Sequence, residues 1–182
     1  MRVIAGEWRG RKLVAPKGDA TRPTADRTRE TLFNMLASRV ASFAGLTVAD
    51  LFAGSGALGI EALSRGAGSC LFVEQEPTAL DAIRANIAAL DARSRSEVRR
   101  GSVMKLAPAN APYDLILLDP PYGTGAGAVA LDRLLRLGWI GAATWIAVET
   151  GASELLSVRT LDVVADRKVG KAKLWLLRLA DS

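Results

Sequence analysis

The sequence has 182 residues, a net charge of +5 and 49% hydrophobic side chains, which fits one domain large enough to bury a hydrophobic core. Histidine is absent and Cys70 is the single cysteine, which excludes catalytic Ser–His and Cys–His pairs, histidine-ligated metals, cysteine zinc sites and internal disulfides. No apolar run approaches the roughly 20 residues of a membrane helix, and the first residues lack the apolar middle of a signal peptide. We therefore expect a cytoplasmic protein without bound metal or membrane association.

The N-terminal segment carries the excess positive charge, with eight basic and three acidic side chains in residues 1–29. Strands over 3–5 and 12–15 are predicted to form a hairpin, in which Trp8 either stacks on a base or covers the edge of the core. Arginine predominates in this segment, and its planar guanidinium suits phosphates and guanine edges. Nucleic acid is thus favoured as a partner over a solvated basic arm. The candidate contacts are Arg9, Arg11, Lys12, Arg22, Arg27 and Arg29.

A helix is predicted after the proline-containing loop, with Thr24 as its cap. Its apolar side chains recur at helical spacing, at Leu32, Phe33, Leu36 and Val40. The segment 1–45 is therefore expected to be an extension of hairpin plus helix, followed by a larger unit over 46–182.

Residues 47–59, TVADLFAGSGALG, predict a buried strand, a glycine turn and the start of a helix. Glycines at 54, 56 and 59 leave no side chain between the backbone and a ligand at the helix start. The pattern also matches the G-x-G-x-x-G fingerprint of dinucleotide enzymes, and Glu74 stands where a ribose-binding acid belongs. Asp50 at the strand end gains nothing from a pyrophosphate but attracts an ammonium or sulfonium, both present in S-adenosylmethionine. A nicotinamide-dependent oxidoreductase, and glycines that serve packing only, remain alternatives.

The rest of the chain alternates predicted strands and helices. Strands are predicted at 47–51, 69–74, 97–100, 113–119 and 144–149, and helices at 57–65, 78–90 and 126–137. An antiparallel pair that turns at Gly170 is predicted over 160–179, and Cys70 is expected in the core. This order predicts an α/β fold with a doubly wound, mostly parallel sheet and a C-terminal antiparallel hairpin.

A second motif, Asp119-Pro120-Pro121-Tyr122, follows the most apolar strand and lies at the same edge of the sheet as the glycine turn. The exocyclic amino nitrogen of a base is a poor nucleophile, because its lone pair is delocalised into the ring. The Asp119 carboxylate and the Pro120 carbonyl could accept its two hydrogens, while Tyr122 offers a face to an extruded base. The alternative is a structural turn with a surface tyrosine, and the motif itself does not name the base.

Together the two motifs resemble class I S-adenosylmethionine-dependent methyltransferases that modify amino groups, whose signature is [DNS]-PP-[YFW]. The chain is more closely similar to the RsmD family, the small-subunit ribosomal RNA guanine-N2 methyltransferases. The stretches that carry this resemblance are 2–13, 22–34, 50–67, 72–76 and 118–123. It implies a Rossmann-like fold, S-adenosylmethionine as cofactor and methyl transfer to N2 of a guanine in 16S rRNA. The implied partner is 16S rRNA within the small ribosomal subunit or an assembly intermediate, with a monomeric enzyme expected.

The resemblance also implies roles for individual residues. The cofactor would contact Asp50, Phe52, Ala53, Gly54, Gly56, Glu74, Ser102, Val103 and Asp119. In this assignment Asp50 and the turn hold the methionine part, Glu74 the ribose, and Ser102 with Val103 the adenine. Asp119, Pro120 and Tyr122 would be catalytic, and the six basic residues would bind RNA backbone. The alternatives left open are an adenine or cytosine amino methyltransferase on DNA or RNA, the NAD-dependent oxidoreductase, and a non-enzymatic RNA-binding assembly factor.

Overall fold

The computed structural model describes residues 1–18 and 23–181. Its helices are α1 (Pro23–Ala37), α2 (Ala57–Ser64), α3 (Pro77–Ala89) and α4 (Ala126–Arg136). Its strands are β1 (Thr47–Leu51), β2 (Ser69–Glu74), β3 (Ser96–Arg100), β4 (Leu115–Leu118), β5 (Trp145–Gly151), β6 (Leu161–Val169) and β7 (Ala172–Leu179). Short 3₁₀ turns at Arg93–Arg95 and Val103–Lys105 precede and follow β3.

The seven strands form one sheet in the order β3-β2-β1-β4-β5-β7-β6. Strands β1 to β5 pair in parallel, because a helix or a long connection returns the chain to the same edge after each strand. Strand β7 pairs antiparallel with both β5 and β6, and the β6–β7 turn contains Gly170. The predicted α/β fold with a mostly parallel sheet and a C-terminal antiparallel hairpin is confirmed.

Apolar side chains cover both faces of this sheet. One face carries Val48, Phe72 and Leu117 and is packed by α1, α2 and α3. The other carries Leu51 and Leu118 and is packed mainly by α4. Cys70 is buried in the first of these layers, as expected of a core cysteine. In the part of the chain described, no helix is both long enough and apolar enough to cross a membrane.

The N-terminal segment differs from its prediction. A short antiparallel hairpin does form, because Arg2 bridges Lys12 and the Val3 amide donates to the Arg11 carbonyl at 3.0 Å, but residues 3–5 and 12–15 are not regular strands. The reason is that the amides of Ile4 and Ala5 donate to the carboxylate of Glu61 on α2, at 2.8 and 3.1 Å, instead of to a partner strand. The segment thereby fastens to the sheet domain, and its predicted limit at residue 45 stays a prediction.

The structure also bears on the predictions for Trp8 and for the start of the first helix. Trp8 is 6% exposed and packs in the core layer beneath the guanidinium of Arg95, 5.0 Å from its ring centroid, so it covers the core edge instead of awaiting a base. Helix α1 begins at Pro23, one residue before the predicted cap at Thr24. Arg22 lies outside the described residues.

Candidate active site

The chain leaves β1 through a sharp turn that exposes its backbone. Phe52 has φ 58° and Gly54 has φ 57°, so both adopt the left-handed conformation that costs a non-glycine residue about 1–3 kcal/mol. The Gly54 amide donates to Oε1 of Glu74 at 2.8 Å. A Cβ atom placed on Gly54 would meet nothing within 4 Å, so this residue faces open space.

That open space consists of two cavities at the carboxyl ends of the parallel strands. The first, of about 270 Å³, is lined by Met1, Ala15, Pro16, Ala25, Thr28, Arg29, Ala53, Gly54, Ser55, Ala57, Leu58, Asp119 and Glu149. The second, of about 350 Å³, is lined by Phe52, Gly54, Val73, Glu74, Gln75, Glu76, Gly101, Ser102, Val103, Asp119 and Pro121. Because Gly54 and Asp119 line both, the two cavities meet between the glycine turn and the end of β4. The two predicted motifs therefore do lie side by side.

The second cavity has the chemistry that a nucleoside requires. Glu74 is held at its wall because its Oε2 accepts the amides of Gln75 and Glu76, at 2.8 and 2.9 Å. A carboxylate can accept hydrogen bonds from neighbouring ribose hydroxyls, and the apolar side chains of Phe52 and Val103 offer walls to a flat ring. The Ser102 side chain accepts the amide of Met104 at 3.2 Å and so caps the short turn beside the cavity. The residues present thus fit an adenosine group.

Asp50 does not lie where the prediction placed it. Its side chain is fully buried and lines neither cavity, with Oδ2 accepting the amide of Gly59 at 2.9 Å and Oδ1 without a hydrogen-bond partner among the residues described. Burial raises the pKa of Asp50 to about 8, against the smaller opposing effect of the Gly59 amide. Asp50 therefore supports the glycine turn from inside the protein through the amide of Gly59. Its position does not allow direct contact with a cation bound in either cavity.

Gly56 and Gly59 also differ from the prediction that they face a ligand. A Cβ on Gly56 would lie 3.3 Å from the ring of Phe72, and one on Gly59 would lie 2.5 Å from that ring and 2.6 Å from the sulfur of Cys70. Neither glycine lines either of the two cavities described above. These two glycines let α2 pack closely on β2, which agrees with the alternative that the glycines serve packing. Of the three glycines, Gly54 is the one that faces the cavities.

The Asp-Pro-Pro-Tyr motif places one carboxylate at the junction of the cavities. Asp119 lines both of them and is exposed to solvent, with densely packed protein on its remaining sides. Desolvation by this protein, with the nearby carboxylates of Glu149 and Asp50, raises the pKa of Asp119 well above 3.8. Pro120 is buried and packs against Gly127 at the start of α4, which fixes the course of the chain after Asp119.

Tyr122 is 47% exposed, and its hydroxyl donates to Oε1 of Glu149 on β5. Burial of the hydroxyl and this hydrogen bond raise the pKa of Tyr122. The loop after Tyr122 is fastened as well, because Glu154 accepts the amides of Gly123 and Gly151. The ring is therefore presented in a defined orientation at the edge of the site.

The predicted basic contacts separate into two groups. Arg9, Arg11, Lys12 and Arg27 are exposed, whereas Arg29 is 4% exposed. Arg29 forms ion pairs with Asp26 at 3.0 Å and Glu61 at 3.6 Å, and it lines the first cavity. Because the guanidinium of Arg29 is paired inside the protein, its position does not favour the predicted contact with RNA, which stays a prediction.

Three residues that shape the site were missed from the sequence. Glu61 anchors the N-terminal segment, and Asn86 donates to the carbonyls of Val14 and Ser55, both at 3.0 Å, tying that segment to the glycine turn. Both are polar residues within apolar helix faces, which is a detectable signal. Glu149 ends the apolar run WIAVE as Asp119 ends LILLD, so the reasoning that singled out Asp119 applied to it equally.

Comparisons with known proteins agree with this architecture. A family model described as "Conserved hypothetical protein 95" matches residues 1–178. Ribosomal RNA small subunit methyltransferase D of Escherichia coli is 39% identical over 150 residues, covering 82% of this chain and 74% of that relative. The protein of that name from Haemophilus influenzae is 39% identical over 154 residues, covering 82% and 78%.

Solved structures lead to the same family. The structure of yhhF from Escherichia coli, described as a methyltransferase, superposes with a TM-score of 0.85 at 33% identity, covering 100% of this chain and 99% of that one. A methylase structure from Haemophilus influenzae has a TM-score of 0.80 at 32% identity, covering 99% and 98%. The chain therefore belongs to the RsmD family of class I methyltransferases.

Proposed function

We propose that this chain transfers a methyl group from S-adenosylmethionine to N2 of a guanine in the 16S rRNA of the small ribosomal subunit. The observation that carries the proposal is that Asp119 lines both cavities. One carboxylate is then within reach of a nucleoside-shaped site on one side and of a second ligand on the other. Membership of the RsmD family, whose relatives are named as small-subunit ribosomal RNA methyltransferases, supports the substrate class.

The cofactor would lie across the two cavities. Its adenosine would occupy the second cavity, with the ribose hydroxyls on Glu74 and the ring between Phe52 and Val103. Its amino-acid end would pass Gly54 into the part of the first cavity lined by Met1 and Ser55, and the part lined by Asp119 and Glu149 would stay open to the target base. Held there, the cofactor would supply an electrophilic methyl group on a sulfonium sulfur, whose bond to the methyl carbon would break as the bond from the amino nitrogen forms, leaving a neutral thioether.

The residues of the chain orient the attacking nitrogen. The Asp119 carboxylate and the Pro120 carbonyl accept the two amino hydrogens, which draws the nitrogen from planar towards tetrahedral geometry. Asp119 then holds the proton that the methylated nitrogen releases. The exposed face of Tyr122 supports the extruded base by stacking. Catalysis would thus come from orientation and from acceptors on the amino group, without a metal or a covalent enzyme intermediate.

The exposed cations Arg9, Arg11, Lys12 and Arg27 would bind RNA backbone around the target. These side chains would bind phosphates and would not distinguish one base from another. The fold of the rRNA in an assembling or complete subunit would therefore determine which nucleotide is modified. Naked RNA would then be a poor substrate. Such a substrate implies action in the cytoplasm, and we expect the enzyme to act as a monomer.

The decisive experiment uses small subunits that lack the modification. They are incubated with methyl-labelled S-adenosylmethionine and the protein, and the labelled nucleoside is identified and mapped by mass spectrometry. We expect N2-methylguanosine at one position of 16S rRNA, and no label with Asp119→Ala, which should still bind the cofactor in calorimetry. Label on adenine or cytosine, or on DNA in a parallel incubation, would identify the rival amino methyltransferase.

The remaining rivals belong to other classes and need different readouts. Calorimetry that finds binding of a nicotinamide dinucleotide but not of S-adenosylmethionine would favour the oxidoreductase. Binding to subunits without any transfer of label would favour an assembly factor.

A further inference from the structure

A second carboxylate stands beside Asp119 in the first cavity. Leu118 of β4 pairs with Val148 of β5, so Asp119 and Glu149 follow as neighbours across two parallel strands, which lie about 4.8 Å apart. Both side chains line the first cavity. Two adjacent acids repel each other, and keeping them together in a partly buried site has a cost that ordinary packing would avoid.

Glu149 is only partly satisfied by the protein. Its Oε1 accepts the hydroxyl of Tyr122, whereas its Oε2 has no hydrogen-bond donor in the described part of the chain. Burial raises the pKa of Glu149, and the Tyr122 hydrogen bond opposes this by favouring the ionised form. The site therefore presents two neighbouring acceptors, Asp119 and Glu149, to whatever enters the first cavity.

Two neighbouring acceptors match a ligand with two neighbouring donors. Guanine carries the N2 amino group next to the N1–H, and both donate. Adenine and cytosine also carry an amino group, but the ring nitrogen beside it is an acceptor, which a carboxylate would repel. The pair of acids thus distinguishes guanine from the other bases that have an amino group.

We infer that Glu149 is the residue that selects guanine, by accepting the N1–H while Asp119 accepts a hydrogen of the N2 amino group. This inference rests on the proposed function and names the residue that gives it base specificity. A single well-formed contact of this kind is worth roughly a 10- to 100-fold preference between bases. The competing role for Glu149 is to position the ring of Tyr122 and nothing more.

The test compares two bases within the same particle. Small subunits are reconstituted with 16S rRNA that carries, at the mapped position, either guanine or 2-aminopurine, which keeps the amino group but has an acceptor at N1. The wild-type protein should methylate 2-aminopurine at least about 10-fold more slowly than guanine. Glu149→Gln offers an amide donor to N1, so the guanine-to-aminopurine rate ratio should fall by about 10-fold or more.

Two variants separate recognition from positioning. Tyr122→Phe removes the hydroxyl that Glu149 binds but keeps the ring, so its total rate can fall while the rate ratio stays at the wild-type value. Asp132→Asn, which removes an exposed acid on α4, is the matched control and should leave both rates unchanged. The ratio is measured within one preparation, so a difference in the fraction of folded protein cancels.

For a variant too slow to time, the fluorescence of 2-aminopurine reports entry of the base into the cavity, and Glu149→Gln should give a larger change than wild type. The inference is overturned if Glu149→Gln keeps the wild-type ratio and the wild-type fluorescence change, or if Tyr122→Phe lowers the ratio as far as Glu149→Gln does. If the wild-type protein does not methylate subunits that carry guanine, the proposed function is overturned instead. That outcome is read from the guanine-containing subunits without any comparison with 2-aminopurine.

Discussion

Asp119 accepts a hydrogen of the amino group more strongly as a carboxylate than as a neutral acid, and only the carboxylate can take up the released proton. Its pKa is raised by desolvation in the surrounding protein and by Glu149, so the rate of methyl transfer should fall on acidification at a pH well above 3.8. Glu149→Gln removes one source of the shift and should move this acid limb to lower pH. The measurement is the single-turnover rate as a function of pH.

The control for this pH profile is Asp119→Asn, which cannot titrate. It should lower the rate at neutral pH by about 100-fold or more and lack the acid limb. An acid limb of unchanged position in Asp119→Asn would mean that another group controls the rate.

Asp50 should make stability depend on pH in an unusual direction. Its folded pKa of about 8 exceeds the ordinary 3.8, so the folded protein keeps a proton that the unfolded chain releases. Wild type therefore loses this stabilisation as the pH rises from about 4 to about 8. Asp50→Asn does not titrate, so its free energy of unfolding relative to wild type should rise over that window, by on the order of a few kcal/mol.

Urea unfolding at about pH 5 and about pH 9 measures this difference. Asp81→Asn, which changes an exposed acid on α3, should show no such trend. A constant difference between Asp50→Asn and wild type at both pH values would contradict the shifted pKa.

At the scale of elements, one buried acid fastens the N-terminal segment to α2. Glu61 is fully buried, and it accepts two backbone amides of that segment as well as pairing with Arg29 and Arg65. Glu61→Gln leaves Arg29, itself 4% exposed, without its partner on α2. Arg29 keeps its closer partner Asp26, so we expect a loss of roughly 1–3 kcal/mol in the free energy of unfolding, because glutamine has one acceptor oxygen where the carboxylate serves two amides and two arginines.

Hydrogen exchange locates the effect of this substitution. The amides of Ile4 and Ala5 should lose protection to a greater extent than the amides of β1. Glu97→Gln breaks an ion pair of two exposed side chains and should change stability by at most about 1 kcal/mol. Unchanged protection of Ile4 and Ala5 in Glu61→Gln would mean that other contacts hold the segment.

At the scale of the whole molecule, the exposed cations Arg9, Arg11 and Lys12 lie on the N-terminal segment that borders the first cavity. Replacing all three with alanine should weaken binding to the small subunit and reduce the slope of log affinity against log salt by about two to three. The measurement is a binding titration at several salt concentrations.

The matched control is a triple alanine variant of three exposed cations around the β6–β7 turn, Arg167, Lys168 and Lys171. An equal change in slope for both variants would show that binding is not localised to the N-terminal segment.

Local patterns were sufficient for much of the fold. Apolar runs such as LILL and SCLFVE form inner strands whose side chains are buried on both faces of the sheet. A continuous apolar run in the sequence is sufficient to predict such a strand. The glycine turn and the Asp-Pro-Pro-Tyr motif also follow from local chemistry, and the parallel order brings both to one edge. The N-terminal hairpin is shorter than predicted, because the amides of Ile4 and Ala5 donate to the side chain of Glu61, far away in the chain.

The sequence by itself determined the alternation of strands and helices, the place of the glycine turn and the acid that ends β4. Only the tertiary structure decided that Arg29 and Asp50 are buried, that Gly59 packs against Phe72, and that Glu149 stands beside Asp119. The physical reason is the distance along the chain between the residues that interact. Strand and helix patterns arise between residues close in the chain, whereas burial, pKa and the pairing of acids depend on segments that come together only when the sheet and its covering helices have formed.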